Sequence, residues 1–119
     1  MNSFPDKAKE ESGAWTSVCK LEDITPDTGV CVLFNGKQIA VFRERKNNQV
    51  FAISNYDPFG EANVLSRGIL CSINDVLVVA SPLYKQHFNL ATGECLEDES
   101  CKIQTFLVRE KEGSVQLSS

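Results

Sequence analysis

Short apolar runs separated by turn-forming residues are the feature of this sequence that most restricts its fold. The runs are rich in Val, Ile and Phe, and they cover residues 15–20, 29–34, 37–43, 49–54, 69–73, 76–80, 85–90, 102–109 and 114–117. Runs of this length and composition are typical of β-strands. No segment has the periodicity of a long amphipathic helix. The sequence therefore predicts an all-β fold, an antiparallel sandwich or barrel of short strands, and not a parallel α/β sheet.

Four dipeptides between these runs have the composition of tight turns: Asn35-Gly36, Asn74-Asp75, Thr92-Gly93 and Glu112-Gly113. Asn and Gly tolerate the positive φ angles that hairpin turns require. We expect hairpins at the first two dipeptides and chain reversals at the other two. The segment LEDITPDTG at residues 21–29 predicts a loop or at most one helical turn.

A length of 119 residues fits one domain with its own hydrophobic core. We assign residues 1–13 to a flexible N-terminus and residues 14–119 to the folded domain. The net charge of −4 argues against nucleic acid as a partner, because such binding depends on Lys and Arg. The first residues lack the apolar stretch of a secretion signal, and no run reaches the roughly 20 apolar residues of a membrane helix. We therefore expect a cytoplasmic protein that does not bind membranes.

The single histidine, His87, limits the metal sites that one copy of the chain can build. A histidine-rich zinc site, a two-histidine iron site and a cluster held by two His and two Cys all need more imidazoles. No motif places a nucleophile or an orienting carboxylate beside His87, so we interpret it as structural. The five cysteines include no C-x-x-C pair. We expect Cys31 and Cys71 to be buried in apolar strands, whereas Cys95 and Cys101 are candidate exposed thiols in a polar stretch.

Two segments carry more aromatic and polar residues than a strand connector requires. The first begins at Asn55, directly after a predicted strand, and the second begins at Ser81, after the apolar run VLVVA. Their frame resembles that of a Rieske domain, in which one loop contains C-x-H and a second contains C-x-x-H. Asn55 and Ser81 stand at the cysteine positions of this frame, and Asp57 and Tyr84 stand at its histidine positions.

These substitutions remove the ligands that a Rieske cluster needs. One iron takes two thiolates and the other takes two imidazole nitrogens, which amide, carboxylate, hydroxyl and phenol groups do not replace. His87 does not restore the site, because it lies three residues beyond the last ligand position. We expect Asn55 and Asp57 to brace their loop through hydrogen bonds of the Asx-turn type. The resemblance therefore implies a Rieske-like fold without a cluster.

A closer resemblance is to the small subunits of cytoplasmic NADH-dependent nitrite reductase, a family of Rieske-like proteins that lack the cluster ligands. The matching stretches are VLSRG at residues 64–68, DI at 23–24, TGV at 28–30, FAISN at 51–55, DPF at 57–59, ASPL at 80–83, Gly93, and CLEDE at 95–99. The similarity extends over about residues 15–117. The combination of VLSRG with the two altered loops is more specific than the fold-level likeness.

This resemblance implies a role in nitrogen metabolism, either nitrate assimilation or nitrite detoxification. The chain would be a non-catalytic subunit of an enzyme that reduces nitrite to ammonium, with the large subunit as its partner. Flavin, an iron–sulfur cluster and sirohaem are expected on the large subunit, and no cofactor or catalytic residue is expected on this chain. Two alternatives stay open: a Rieske-type electron-transfer protein, and a free-standing interaction module for another oxidoreductase.

Residues at the tips of the two loops are the candidates for contact with a large subunit: Tyr56, Phe59, Tyr84 and Lys85. Exposed aromatic side chains often anchor protein interfaces. Alternatively, the rings turn inward and fill the space that a cluster would occupy, which is the interpretation we prefer for Phe59. The acidic residues within 94–99 are interpreted as a solvated face.

Overall fold

The computed structural model describes residues 15–83 and 85–118. Residues 1–13, which we expect to be flexible, lie outside the described residues, as does Tyr84. Within the described ranges the chain forms eleven strands and two 3-10 helical turns, Leu21–Asp23 and Leu65–Arg67. No helical segment in these ranges has the length that a membrane crossing requires.

All the strands are short. They are β1 (Trp15–Lys20), β2 (Thr28–Phe34), β3 (Lys37–Arg43), β4 (Val50–Ser54), β5 (Tyr56–Asp57), β6 (Ala62–Asn63), β7 (Ile69–Ile73), β8 (Val76–Ala80), β9 (His87–Asn89), β10 (Val108–Lys111) and β11 (Ser114–Ser118). They form four small sheets in the orders β1-β11-β10, β2-β3-β4, β5-β6 and β7-β8-β9. Each of these strand pairings is antiparallel. The prediction of an all-β fold of short antiparallel strands is confirmed.

The turns form where the sequence predicts them. Asn35-Gly36 joins β2 to β3 with φ angles of 52° and 77°. Asn74-Asp75 joins β7 to β8 in the same way, and Glu112-Gly113 joins β10 to β11. The reversal at Thr92-Gly93 brings Cys95 opposite Phe88 in an isolated antiparallel bridge. Residues with positive φ therefore mark all four reversals, as turn chemistry requires.

Two parts of the strand prediction are wrong. The run at 102–109 forms a strand only at its end, in β10, because Lys102 and Thr105 make single bridges to Glu94 and Ile53 instead of pairing along one neighbour. The small sheet of β5 and β6 was not predicted, since two-residue strands are too short to show a period.

Strand β3 lies between two hydrophobic cores and is buried on both faces. Ile39 and Val41 face the terminal core, which also contains Ile24, Phe34, Ala52, Val115 and Leu117. Ala40 and Phe42 face the loop core, which also contains Ile53, Leu65, Val79, Phe88, Leu90, Cys95 and Ile103. Successive side chains of a strand point to opposite faces, so one apolar run serves both cores.

The burial of the cysteines differs from the prediction. Cys31 is exposed, because β2 is an edge strand and Cys31 shares its outer face with the exposed Leu33. Cys71 is half-buried. Cys95 is buried within the loop core, and Cys101 is half-buried against the same core. The prediction that Cys95 and Cys101 are exposed is therefore wrong, although the sequence around them is polar.

Candidate functional site

Two loops meet at one end of the molecule. The first loop, residues 55–60, follows β4, and the second loop, residues 81–86, follows β8. Three of their side chains are polar and buried: Asn55 is 2% exposed, Asp57 is 0% exposed and Ser81 is 1% exposed. These are the residues that stand at three of the four ligand positions of the Rieske frame. The fourth, Tyr84, lies outside the described residues.

Asp57 joins the two loops directly. Its Oδ2 atom accepts a hydrogen bond from the hydroxyl of Ser81. Its Oδ1 atom accepts the backbone N–H groups of Phe59 at 2.8 Å and Gly60 at 3.2 Å, which is the Asx-type bracing expected for this residue. The Ser81 Oγ atom in turn accepts the N–H of Leu83 at 3.2 Å. One buried carboxylate therefore organises the first loop and fastens it to the second.

Asn55 fastens the first loop to the body of the domain. Its Oδ1 atom accepts the N–H of Ser66 at 2.7 Å, and its Nδ2 group donates to Gln38 Oε1 at 3.1 Å. The backbone N–H of Asn55 also donates to the carbonyl of Gln38, at 3.1 Å. A second Nδ2 contact reaches Cys31 Sγ at 3.5 Å. The Asx-turn predicted for Asn55 is therefore wrong, because its side chain bonds to residues 11, 17 and 24 positions away and braces the loop against the body of the domain.

The residues at this end do not fit a [2Fe-2S] cluster. Its irons require thiolate and imidazole ligands, whereas Asn55, Asp57 and Ser81 supply an amide, a carboxylate and a hydroxyl. These groups are already bonded to one another and to backbone N–H groups. Among the described residues, moreover, no three His, Cys, Asp or Glu side chains are grouped so that they could hold a metal ion.

The predicted contact residues differ in their exposure. Tyr56 is 43% exposed, and Lys85 is exposed with a positive φ of 63°. Phe59 is half-buried with its ring centroid 6.2 Å from that of Phe88, which is the inward orientation we preferred. Sequence reasoning missed Leu83, which is 45% exposed. A Cβ atom added to Gly60 would clash with the Leu83 side chain, so Leu83 lies directly on the first loop.

His87 has a carboxylate partner that the sequence did not reveal. Its Nδ1 atom donates to Glu97 Oε2 at 2.6 Å, and its backbone N–H donates to Glu97 Oε1 at 2.8 Å. Partial burial favours the neutral form of Glu97, but these two bonds and the attraction of the imidazole hold the pKa of Glu97 below its usual range. The predicted reversal at 92–93 was the available signal, because it places residues beyond 94 opposite β9. The expectation that no carboxylate lies beside His87 is therefore wrong, and the pair joins β9 to residue 97.

Residues 96–102 form a third loop beside the first. A shallow depression of about 390 Å³ separates the two loops, and Tyr56, Pro58 and Cys101 lie in its wall. Burial raises the pKa of the Cys101 thiol, and the nearby carboxylates of Asp98 and Asp57 raise it further. The end of the molecule is therefore built from three loops, not the two that the sequence indicated.

Comparisons with known proteins agree with this architecture. The sequence model of the Rieske-like [2Fe-2S] domain matches residues 14–118. The nitrite reductase (NADH) small subunit of Salmonella typhimurium is 52% identical over 103 residues, which are 87% of this chain and 95% of that protein. The NMR structure of the Escherichia coli protein NirD superposes with a TM-score of 0.83 at 48% identity, covering 90% of this chain and 97% of that chain.

A further relative is much longer than this chain. The nitrite reductase [NAD(P)H] large subunit of Klebsiella oxytoca is 36% identical over 104 residues, which are 87% of this chain but only 11% of that protein. Identity above one third over nearly the whole domain indicates a shared origin for this segment. From the family match and these similarities, the chain belongs to the Rieske-like domain family and, within it, to the small subunits of NADH-dependent nitrite reductase.

Proposed function

We propose that this chain is the small, non-catalytic subunit of an NADH-dependent nitrite reductase, which reduces nitrite to ammonium. The observation that carries the proposal is the 52% identity to such a small subunit over 95% of its length. All three loops at this end of the molecule fall within the family match at residues 14–118. The chain contributes no catalytic residue, and its role is to support the activity of the large subunit.

The large subunit is the proposed partner. In the Klebsiella oxytoca large subunit, a segment similar to this chain is part of the same polypeptide. Covalent linkage gives two domains a high effective concentration for each other, so a free small subunit must reach the same place by binding. We propose that this chain docks on the corresponding part of its own large subunit.

The redox centres belong to the large subunit in this proposal. Flavin, an iron–sulfur cluster and sirohaem are placed there, and none of them on this chain. The donor set of Asn55, Asp57 and Ser81 supports this division, because it offers neither thiolate nor imidazole. We also place the complex in the cytoplasm, where NADH and nitrite reduction serve nitrogen metabolism.

The test of this role is an assay of NADH-dependent nitrite reduction by the large subunit with and without this chain. We expect the chain to increase the activity, the stability or the assembly of the large subunit. If none of the three changes when the chain is added in excess, the assigned role is wrong. The free-standing module is the surviving alternative in that case, and co-purification from native cells would identify its partner.

The loop tips are the proposed contact surface for the large subunit. Tyr56 and Lys85 are exposed there, and Leu83, which lies against Gly60 of the first loop, adds an exposed apolar side chain. Tyr84 lies outside the described residues and is included in the proposal on the sequence prediction alone. Phe59 packs inward on Phe88 and supports the surface from beneath.

Alanine substitution tests this surface. Tyr56→Ala combined with Tyr84→Ala should weaken binding to the large subunit by about tenfold or more, since exposed aromatics are frequent interface anchors. The matched control is Leu33→Ala combined with Leu107→Ala. These two apolar side chains lie elsewhere on the domain and are 72% and 53% exposed, respectively. Equal affinities for the two folded double variants would contradict the proposed surface and leave the subunit role untouched.

A further inference from the structure

Cys95 and Cys101 lie opposite each other in a small antiparallel hairpin. Glu94 and Lys102 form a bridge, and the hydrogen bonds on either side of it fix the register. The N–H of Cys95 donates to the carbonyl of Cys101 at 3.1 Å, and the N–H of Ile103 donates to the carbonyl of Gly93 at 2.9 Å. This pattern makes Cys95 and Cys101 the next facing pair after the bridge.

The two side chains lie on the same face of the hairpin. Cys95 is part of the loop core, and Cys101 packs against the same core. Facing residues in a hydrogen-bonded position of an antiparallel pair have Cα atoms about 5.5 Å apart. The Cα separation in disulfides is most often about 5.5–6 Å, so facing positions are compatible with a disulfide once the Cβ atoms approach to about 3.5–4.5 Å. Only one of the two ladder bonds joins this pair, because the N–H of Cys101 donates to the carbonyl of Asp98 at 3.0 Å.

We propose that Cys95 and Cys101 form a reversible dithiol–disulfide pair that reacts with small disulfide molecules. The other cysteines of the described residues lie on separate strands, Cys19 on β1, Cys31 on β2 and Cys71 on β7. The facing pair is therefore the one place in these ranges where the strand register brings two cysteines together. The proposal is independent of the role as a reductase subunit.

Cys101 is the entry point for the reaction. It is half-buried and lies in the wall of the depression beside Tyr56 and Pro58, whereas Cys95 is only 4% exposed. The Cys101 thiolate attacks the sulfur–sulfur bond of a small disulfide such as oxidised glutathione, forming a mixed disulfide and releasing one glutathione thiol. The Cys95 thiolate then attacks the Cys101 sulfur and releases the second.

The electrons and protons balance in these two steps. The two protein thiols lose two electrons and two protons, and one glutathione disulfide becomes two glutathione thiols. Burial raises the pKa of both Cys95 and Cys101, so their thiolate fractions and the rate grow as the pH rises above neutrality.

Oxidation changes the third loop. The bond would close residues 96–100 into a ring and remove the S–H that Cys95 now donates to Glu97 at 3.6 Å. Glu97 is the partner of His87, so the redox state of the pair acts on the contact that holds the third loop to β9. The structural response is therefore confined to the end of the molecule that carries the three loops.

Mass spectrometry tests the pair on the full chain. The folded protein is incubated with oxidised glutathione, the remaining thiols are alkylated, and the protein is digested with trypsin without reduction. Residues 86–102 form one tryptic peptide that contains both cysteines, because no Lys or Arg lies between residues 85 and 102. We expect this peptide to carry no alkyl group and to be two hydrogen atoms lighter than its fully reduced form.

Matched variants separate the two chemical steps. Cys95→Ser should stop the reaction at the mixed disulfide on Cys101, whereas Cys71→Ser, which removes a half-buried cysteine outside the hairpin, should leave the disulfide unchanged. The disulfide should also form to a greater extent in the folded protein than in denaturant at the same glutathione ratio. A doubly alkylated peptide from the folded wild-type protein, or more disulfide in denaturant than in the folded state, would overturn the proposal.

Discussion

Asp57 is the residue on which the three-loop end most depends. Its carboxylate is fully buried and takes hydrogen bonds from Ser81, Phe59 and Gly60. A buried carboxylate is tolerated when hydrogen bonds satisfy its oxygen atoms. A buried donor that loses this acceptor lowers the free energy of unfolding, because it is neither hydrated nor bonded in the folded state. The pair formed by Asp57 and Ser81 is therefore the point at which one substitution affects two loops.

Alanine substitution should measure this bond. Asp57→Ala is expected to lower the free energy of unfolding by about 2–3 kcal/mol, because it leaves the Ser81 O–H and two backbone N–H groups without an acceptor. The control Glu99→Ala, at an exposed site, should change it by less than about 0.5 kcal/mol. The measurement is chemical denaturation followed by far-UV circular dichroism.

A double-mutant cycle makes the test specific to the bond. Ser81→Ala alone should also destabilise the domain, and the double variant with Asp57→Ala should lose less than the sum of the two single variants, by about 0.5 kcal/mol or more. Strict additivity would show that Asp57 and Ser81 do not act together.

Glu97 gives the domain a pH-dependent contact. Its pKa is lowered in the folded protein, so its contribution to stability is complete above the ordinary value of 4.5 and is lost as the pH falls through the lowered value. Glu97→Gln should therefore cost up to about 1 kcal/mol near neutral pH, a modest effect because the carboxylate is half exposed. The difference from wild type should shrink in denaturation curves measured well below pH 4.5.

The control for this prediction is Glu99→Gln in the same acidic run. Its effect on the unfolding midpoint should be small at both pH values. A Glu97→Gln effect that stayed constant from neutral to acidic pH would show that the carboxylate charge is not what stabilises the contact with His87.

Side-chain partners were the part of the site that local sequence patterns left open. Asn and Asp before Pro58 indicated local bracing, which Asp57 does provide through its bonds to Phe59 and Gly60. The bond from Ser81 to Asp57 joins residues 24 positions apart, and that from His87 to Glu97 joins residues 10 positions apart. Such contacts depend on how the loops pack, and packing has no signature in a short window of sequence.

At the scale of elements, the reversal after β9 has a strict requirement for glycine. Gly93 has a φ of 83°, and a Cβ atom there would collide with the carbonyl oxygen of Ile103. Gly36, in the hairpin between β2 and β3, has a similar φ of 77° but nothing within 4 Å of its missing Cβ. The two glycines therefore share the backbone conformation and differ in steric surroundings.

This difference predicts two unequal substitutions. Gly36→Ala should cost about 1 kcal/mol, the penalty for a side chain in the left-handed region. Gly93→Ala should cost about 3 kcal/mol, because the collision adds to the same penalty. Thermal or chemical denaturation measures both, and similar losses for the two variants would contradict the close approach at Gly93.

Elements with a local signal were predictable, and those that depend on neighbours were not. The hairpins at 35–36 and 74–75 follow from turn residues flanked by apolar runs. In contrast, the apolar run at 102–109 carries Ile103 into the loop core and Phe106 against the terminal core, so its apolar residues serve two cores and not one strand. An apolar run shows that a segment is buried, but it does not show which strand it pairs with.

At the scale of the whole molecule, the two cores should unfold together. β3 supplies Ile39 and Val41 to the terminal core and Ala40 and Phe42 to the loop core, so neither core can lose this strand alone. The single tryptophan, Trp15, lies in β1 at the terminal end and stacks under Arg109 at 4.2 Å. It therefore reports on the sheet β1-β11-β10, whose strand β11 contributes Val115 and Leu117 to the terminal core.

Phe42→Ala tests this coupling. Loss of a buried aromatic should cost about 3–5 kcal/mol. Because β3 is shared, Trp15 fluorescence and far-UV circular dichroism should shift to lower denaturant together and give one midpoint. Fluorescence that kept the wild-type midpoint while the circular dichroism shifted would show that the terminal core unfolds independently.

The bond between Asp57 and Ser81 also bears on how the protein is made. In a domain whose loops are clamped by iron and sulfide, the final shape must wait for delivery of the metal. Here the clamp is part of the polypeptide, and it closes as soon as the strands are in place. The folding of this end should therefore depend on the packing of its strands and loops and not on a supply of iron.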